Sequence, residues 1–91
     1  MKTVIIGSGN LATHLSMALL RAGIPVCEVF SPTTAHAQEL AERQGGRALD
    51  SLKDVSADAD IVIISVKDDA IGSVVAGLEY VNNDAIFIHT A

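Results

Sequence analysis

A glycine turn between an apolar run and a helical pattern constrains this chain more than any other feature. The β-branched run 1–6 ends at the segment Gly-Ser-Gly-Asn-Leu-Ala, residues 7–12, and apolar residues at helical spacing follow. In a G-x-G-x-x-G/A turn, the first glycine permits a sharp reversal, the second leaves room for a phosphate, and the third position must be small for close packing. The segment therefore predicts a strand, a tight turn and a helix whose N-terminus can hold an anion.

The rest of the chain alternates strand and helix patterns. After the first strand we predict strands at 26–30, 47–49, 61–66 and 85–89. Helices are predicted from Leu11 to a cap at Gly23, at 35–44, and from 67–69 to about Gly77, with one helical turn at 51–55. Right-handed crossovers between such strands give an α/β doubly wound parallel sheet, in the order 3-2-1-4-5 with strand 3 at an edge.

Composition narrows the function classes. The 91 residues make one domain, and a net charge of -5 with 3% aromatic residues disfavours nucleic acid and anionic membranes as partners. No apolar stretch is long enough to cross a membrane, and the single cysteine, Cys27, gives neither a disulfide framework nor a metal cluster. We therefore expect a cytoplasmic protein with no metal site, no membrane contact and no nucleic-acid partner.

The last apolar run, 85–88, is followed by three residues only. Domains rarely end at the last residue of a core strand, so we expect residues 1–91 to be the nucleotide-binding domain of a longer two-domain protein. A C-terminal domain absent from this chain would then hold the substrate, an unknown small molecule.

The end of the second strand bears on the choice of cofactor. NAD-binding domains place an acidic residue there for the ribose hydroxyl, whereas NADP-binding domains offer hydroxyls or arginine to the 2′-phosphate. Here Ser31, Pro32 and Thr33 follow the strand, which favours NADP and leaves NAD possible. Two alternatives stay open: Ser31 or Thr33 serves only as a helix cap, or Glu28 reaches the ribose because the strand ends earlier.

The predicted sheet order also defines a ligand-binding rim. Ligands of doubly wound sheets lie outside the carboxyl ends of the strands, at the switch point between strands 1 and 4. The rim would contain residues 7–11, 31–34 and 66–69 with His89 and Thr90. Lys67 could approach a phosphate, but we expect a solvated charge. His89 could donate a proton near a nicotinamide, but we expect a buried side chain that closes strand 5.

Four segments together resemble a known family. The segments 7–12, 29–33, 59–71 and 88–90 resemble the N-terminal NADP-binding Rossmann domain shared by pyrroline-5-carboxylate reductases and deazaflavin-dependent NADP oxidoreductases. The likeness is strongest to bacterial Rossmann-like oxidoreductases whose substrate is not established, and it spans nearly the whole chain.

The resemblance implies an NADP-dependent oxidoreductase that transfers hydride and is a homo-oligomer at full length, with no catalytic residue in this chain. It implies cofactor contacts from the following residues: Gly7, Ser8, Gly9, Asn10, Leu11, Ser31, Thr33, Val66 and Lys67. Two positions depart from the family pattern, since Pro32 stands where members often have Arg and Lys67 where many have Pro. The first departure weakens the NADP preference.

Two other function classes use a similar turn. A non-enzymatic dinucleotide sensor and a methyltransferase would both be expected to keep an acidic residue after strand 2, and this chain has none there. Turnover by a longer chain separates the sensor from an enzyme, and failure to bind S-adenosylmethionine removes the methyltransferase.

Overall fold

The computed structural model describes residues 1–7, 9–31, 34–66, 68–81 and 84–89. Strands and helices alternate along them in the order β1 (Thr3–Ile6), α1 (Asn10–Arg21), β2 (Glu28–Phe30), α2 (Thr34–Gln44), β3 (Arg47–Leu49), β4 (Ile61–Ile64), α3 (Asp68–Gly77) and β5 (Ile86–His89). A short 3-10 turn, Leu52–Asp54, lies between β3 and β4, where one helical turn is predicted.

The strands form one parallel sheet in the order β3-β2-β1-β4-β5, which confirms the predicted doubly wound topology. β1 lies at the centre, with Ile6 level with Phe30 of β2 on one side and Ile64 of β4 on the other. The carboxyl ends of these three strands therefore meet at one edge of the sheet, at the point where the strand order reverses.

An apolar layer covers each face of the sheet. The layer beneath α1 and α2 contains Ile5, Ala12, Val26, Val29, Ala37, Leu40, Ala41 and Ile63. The layer beneath α3 and the 3-10 turn contains Val4, Ile6, Leu49, Val55, Ala59, Val62, Ile64, Val74, Leu78 and Val81. Successive residues of a strand point to opposite faces, so a strand covered on both faces must be apolar throughout. This requirement explains the aliphatic run of β4 and, from Val4 onward, that of β1.

β2 and β4 are each two residues shorter than predicted. β2 begins at Glu28 instead of 26, because the N–H of Val26 donates to the side-chain Oε1 of Gln44 at 3.1 Å. β4 ends at Ile64 instead of 66, although the N–H of Ser65 still donates to the carbonyl of Ile6 at 2.8 Å. The strands therefore lie where they are predicted. The Gln44 contact limits the start of β2, and the turn after Ile64 limits the end of β4.

Polar side chains are buried as well, among them those of Gln44, Ser16 and Thr3. Gln44 also donates from Nε2 to the carbonyl of Ser16 at 3.1 Å, so one buried side chain joins α2, α1 and the segment before β2. The buried Ser16 hydroxyl donates to the carbonyl of Ala12 at 2.7 Å. Thr3 is fully buried, and its Oγ1 has no hydrogen-bond partner among the described residues.

Replacing Thr3 with valine should raise the free energy of unfolding by about 1 kcal/mol, because the unpartnered buried hydroxyl then no longer has to be taken out of water. The matched control is Ser16→Ala, which removes a buried hydroxyl that does have a partner and should cost about 1 kcal/mol. Equilibrium denaturation in guanidinium chloride measures both changes. A Thr3→Val variant less stable than the wild type would contradict the interpretation.

Candidate functional site

Gly7 directly follows β1 and contacts the carboxyl ends of the two neighbouring strands. Its N–H donates to the carbonyl of Phe30 at the end of β2, at 2.7 Å. A Cβ added to Gly7 would lie 2.1 Å from the carbonyl oxygen of Ser65, just past β4, and the residue has φ +118. Both the contact and the backbone conformation therefore require glycine at this position. The predicted sharp reversal takes place here.

Gly9 differs from Gly7, because no contact among the described residues excludes a side chain at its position. It is the N-cap residue of α1 with φ -72, an ordinary extended conformation, and a Cβ built on it would meet no atom within 4 Å. The space beside it opens directly on the first turn of α1. Omitting a side chain here keeps that space free for a group from outside the chain.

The N-terminus of α1 suits an anion. The first N–H groups of a helix have no partner within the helix, and the helix dipole adds a partial positive charge. The first turn of α1 contains no acidic residue, and Gly9 has no side chain with which to cap it. Asn10 and Leu11 are exposed, while Ala12 is fully buried against the sheet. The small third position therefore performs the predicted packing role, and the exposed helix end fits a diphosphate.

The other predicted site residues lie at the same edge where the structure describes them. Ser31 follows β2 directly and is buried, with 6% of its surface exposed. Val66 follows β4 and packs against the layer under α3, so its side chain is turned into the protein. Ser8, Thr33 and Lys67 lie outside the described residues. The structure thus brings together Gly7, Gly9, Asn10, Leu11, Ser31 and the backbone after β4.

Glu28 takes no part in this edge, so its suggested ribose role is wrong. It is the first residue of β2, level with Val4, and so lies toward the opposite, amino end of the strands. Its carboxylate accepts from the Ser56 hydroxyl at 2.6 Å, the Ser56 N–H at 3.0 Å and the Arg47 Nη2 at 2.9 Å. Burial alone raises the pKa of Glu28, but the Ser56 and Arg47 hydrogen bonds outweigh it and lower the pKa below its ordinary value.

His89 also differs from the prediction, because its side chain is exposed and not buried. It is the last residue of β5, level with the buried Ile64 of β4, and so stands at the carboxyl edge of the sheet. β5 is an edge strand, and Ile86, Phe87 and Ile88 before it are exposed as well. Sequence pattern misses this exposure, because a run of β-branched and aromatic residues predicts a strand without showing what covers it.

A groove beside α1 was not predicted. Its volume is about 210 Å³, and it is lined by Asn10, His36, Glu39, Leu40 and Arg43. Arg43 and Glu39 form an i,i+4 ion pair at 2.9 Å within α2. The lining positions of α2 are three to four residues apart, so the helical period could have shown that they share a face. Nothing in the sequence shows that this face meets the start of α1.

Metal-binding clusters and membrane-spanning helices are both absent from the described residues. No group of three or more His, Cys, Asp or Glu side chains there could hold a metal ion. None of the helices there combines the length and the hydropathy needed to cross a membrane. Cys27, the free cysteine, is half-buried.

The chain is similar to several known proteins. The sequence model of the family described as NADP oxidoreductase, coenzyme F420-dependent, matches residues 2–91. A Bacteroides fragilis structure, provisionally described as an NADP oxidoreductase, is 37% identical, with a TM-score of 0.92 over 99% of this chain and 35% of that chain. The glutamyl-tRNA reductase of Lawsonia intracellularis is 39% identical over 66 residues, 70% of this chain and 15% of the reductase.

A more distant structural match shows the fold alone. The arogenate dehydrogenase of Synechocystis is 22% identical, with a TM-score of 0.86 over 100% of this chain and 33% of that chain. This chain thus spans about a third or less of each of these proteins.

The two turn glycines should respond differently to the same replacement. Gly7→Ala should lower the free energy of unfolding by about 3 kcal/mol or prevent folding, because a methyl group would overlap the Ser65 carbonyl oxygen. Gly9→Ala should cost less than about 1 kcal/mol, the loss of a favourable N-cap residue. Guanidinium denaturation followed by circular dichroism compares them. Equal losses would contradict the assigned roles.

The Glu28 network should make stability depend on pH. A carboxyl whose pKa is lower in the folded state stabilises above its unfolded pKa, and that contribution disappears as the pH falls through the folded pKa. Glu28→Gln should therefore cost about 2 kcal/mol at pH 7, the worth of hydrogen bonds to a charged group, and progressively less below about pH 4.

The control for this experiment is Glu39→Gln. It breaks an exposed ion pair and should change stability by less than about 1 kcal/mol at either pH. Urea denaturation at pH 7 and at pH 3 gives the comparison. A Glu28→Gln cost that is the same at both pH values would show that the carboxylate charge is not what stabilises β2.

Proposed function

This chain belongs to the family of coenzyme F420-dependent NADP oxidoreductases, and we propose that it binds the dinucleotide cofactor of a longer oxidoreductase, with NADP(H) preferred. The chain is a Rossmann-type α/β domain. One observation carries the binding proposal: Gly9 leaves open space at the exposed N-terminus of α1, at the switch point of the sheet, and no contact among the described residues requires that space.

Each residue at the turn has a separate part in this proposal. Gly7 fixes the turn, because its N–H is bonded to the carbonyl of Phe30 and it lies against the carbonyl of Ser65. Helix α1 begins three residues later, at the carboxyl edge of the sheet. The amides of the first turn, at Asn10 and Leu11, then donate to a diphosphate that approaches over Gly9. When bound, the cofactor supplies the hydride chemistry, while this domain contributes binding and orientation.

The preference for NADP(H) rests on the end of β2. Ser31 follows β2 there, and β2 itself places no carboxylate at this end; the exposed Asp50 follows the neighbouring strand, β3. The nearest acidic residue of the strand, Glu28, is engaged by Ser56 and Arg47 toward the amino end. A 2′-phosphate would therefore meet no repelling carboxylate from β2, and a free ribose hydroxyl would find no carboxylate acceptor on that strand.

The rest of the longer protein is proposed to hold the substrate and the contacts between subunits. The B. fragilis structure, which this chain matches over 35% of its length, has ample further chain for both. The exposed apolar side chains of β5, with Ile86 60% and Phe87 41% exposed, fit a strand that more protein covers.

Titration of the purified chain with NADPH and NADH tests the cofactor proposal. We expect NADPH to bind at least tenfold more tightly, a difference of about 1.4 kcal/mol. Gly9→Val should abolish binding of both nucleotides, because its side chain would occupy the space that the diphosphate needs.

The matched control is Gly72→Val, a glycine of α3 whose added Cβ would also meet nothing within 4 Å. It should bind NADPH as the wild type does. Circular dichroism checks that both variants are folded. Retained binding by a folded Gly9→Val variant would place the ligand elsewhere, and a wild-type chain that binds neither nucleotide would overturn the proposed function.

A further inference from the structure

We propose that one further α-helix of the same protein packs beside α1, over β5, and buries an apolar trough there. The inference rests on the proposed function, in which this chain is part of a longer oxidoreductase. Five side chains form the trough: Leu11, Leu15 and Leu19 of α1 with Ile86 and Ile88 of β5. Leu11, Ile86 and Ile88 are exposed by 47%, 60% and 41%. The other two are half-buried.

The register of the sheet defines the floor of the trough. Ile86 lies level with Ile61 of β4, and Ile88 lies level with Ile63. Side chains that lie level on neighbouring parallel strands point to the same face, and Ile61 and Ile63 contribute to the layer beneath α1 and α2. Ile63 is only 2% exposed. The apolar layer therefore continues onto β5, where none of the described helices covers it.

The helical period of α1 defines the wall. Leu11, Leu15 and Leu19 recur every four residues and so form one ridge along the helix. The carbonyl of the buried Ser16 accepts from Gln44, so Ser16 lies toward α2, which packs over β2 and β3. Leu15 is turned by about 100° from Ser16, to the other flank of α1. The leucine ridge therefore faces away from α2, toward β4 and β5.

The spacing of the elements leaves room for one helix. Packed helices lie about 8–10 Å apart and neighbouring strands about 4.8 Å apart, so two helices cover about four strands. The sheet has five strands, and α1 and α2 share one face of it. β5 lies two strands from the central β1, a distance of about 10 Å. A third helix beside α1 would therefore lie over β5.

The handedness of the fold excludes the helix that would directly follow β5. Crossovers between parallel strands are almost always right-handed. Helix α3 joins β4 to β5 on the face opposite α1, so a crossover to a strand beyond the open edge of β5 would lie on the α3 face too. It would cover Phe87, which lies level with Val62 of the α3 layer. The helix over the trough must come from further along the protein.

The chemistry of the trough fits a permanent partner within one protein. All five side chains are aliphatic, which is the composition of a core or an obligate interface and not of a transient one. This chain matches only 35% of the B. fragilis structure, and a further strand with its crossover takes about 30 residues. A protein of that length has enough chain left for the helix.

Cysteine labelling of the longer protein tests this placement. Ile88→Cys puts a thiol on the floor of the trough and Leu11→Cys puts one on its wall, each with Cys27→Ala. The matched control is His14→Cys, at an exposed position of α1. Without nucleotide, we expect both trough thiols to react with N-ethylmaleimide about tenfold more slowly than the control, because the covering helix must first open. In the 91-residue chain, all three should react within about threefold of one another.

Each other outcome contradicts the proposal. Ile88→Cys that reacts as fast as His14→Cys in the longer protein would show that nothing covers the floor. A slow Ile88→Cys with a fast Leu11→Cys would show that the cover does not lie beside α1. Protection that disappears on dilution would assign the trough to a second copy of the protein. Titration with NADPH is a separate readout: a protein that binds neither nucleotide overturns the proposed function, whereas the labelling rates decide this inference.

Discussion

The close approach of Gly7 to the Ser65 carbonyl oxygen is the contact on which the rest of the site depends. It brings the end of β1 against the end of β4 while the Gly7 N–H is bonded to β2, so three strands are joined at one residue. No side chain fits there, and the chain must leave the sheet at that point. Helix α1 consequently begins at the edge of the sheet, with the amides of its first turn exposed and the space above Gly9 open.

The polar interactions that stabilise the domain are placed largely at the other edge. The Lys2 N–H donates to Asp60 at 2.7 Å, joining the starts of β1 and β4, and Glu28 joins the start of β2 to Ser56 and Arg47. The Tyr80 hydroxyl, which lies between α3 and β5, contacts the carbonyl of Leu52 at 2.6 Å. A small core is thus reinforced at the amino edge, and the carboxyl edge can be shaped for a ligand at little cost to stability.

The sheet order and the glycine turn could be predicted from sequence because both follow from local chemistry. Aliphatic runs buried on both faces alternate with helical patterns, and right-handed crossovers leave few possible topologies. Gly7 and Gly9 are equivalent glycines in the sequence motif. The packing of the chain requires glycine at Gly7, whereas no contact among the described residues requires it at Gly9. Only coordinates separate these two reasons for a glycine.

The predictions that were wrong, and the features that were not predicted, depend on contacts between distant parts of the chain. β2 begins at Glu28 and not at Val26, because the Val26 N–H donates to the side chain of Gln44, eighteen residues further along the chain. The place of Glu28 follows from its register with Arg47 of β3. The exposure of His89 depends on what lies beside an edge strand, and the groove at Asn10 depends on how α1 meets α2. Residue patterns along one element contain none of this information.

A crystal structure of the chain grown with NADP⁺ is the most direct test of the central claim. The account predicts diphosphate oxygens within hydrogen-bonding distance, about 2.9 Å, of the amide nitrogens of Asn10 and Leu11, over the face of Gly9 that has no side chain. A diphosphate found elsewhere, for example in the groove between His36 and Arg43, would contradict it.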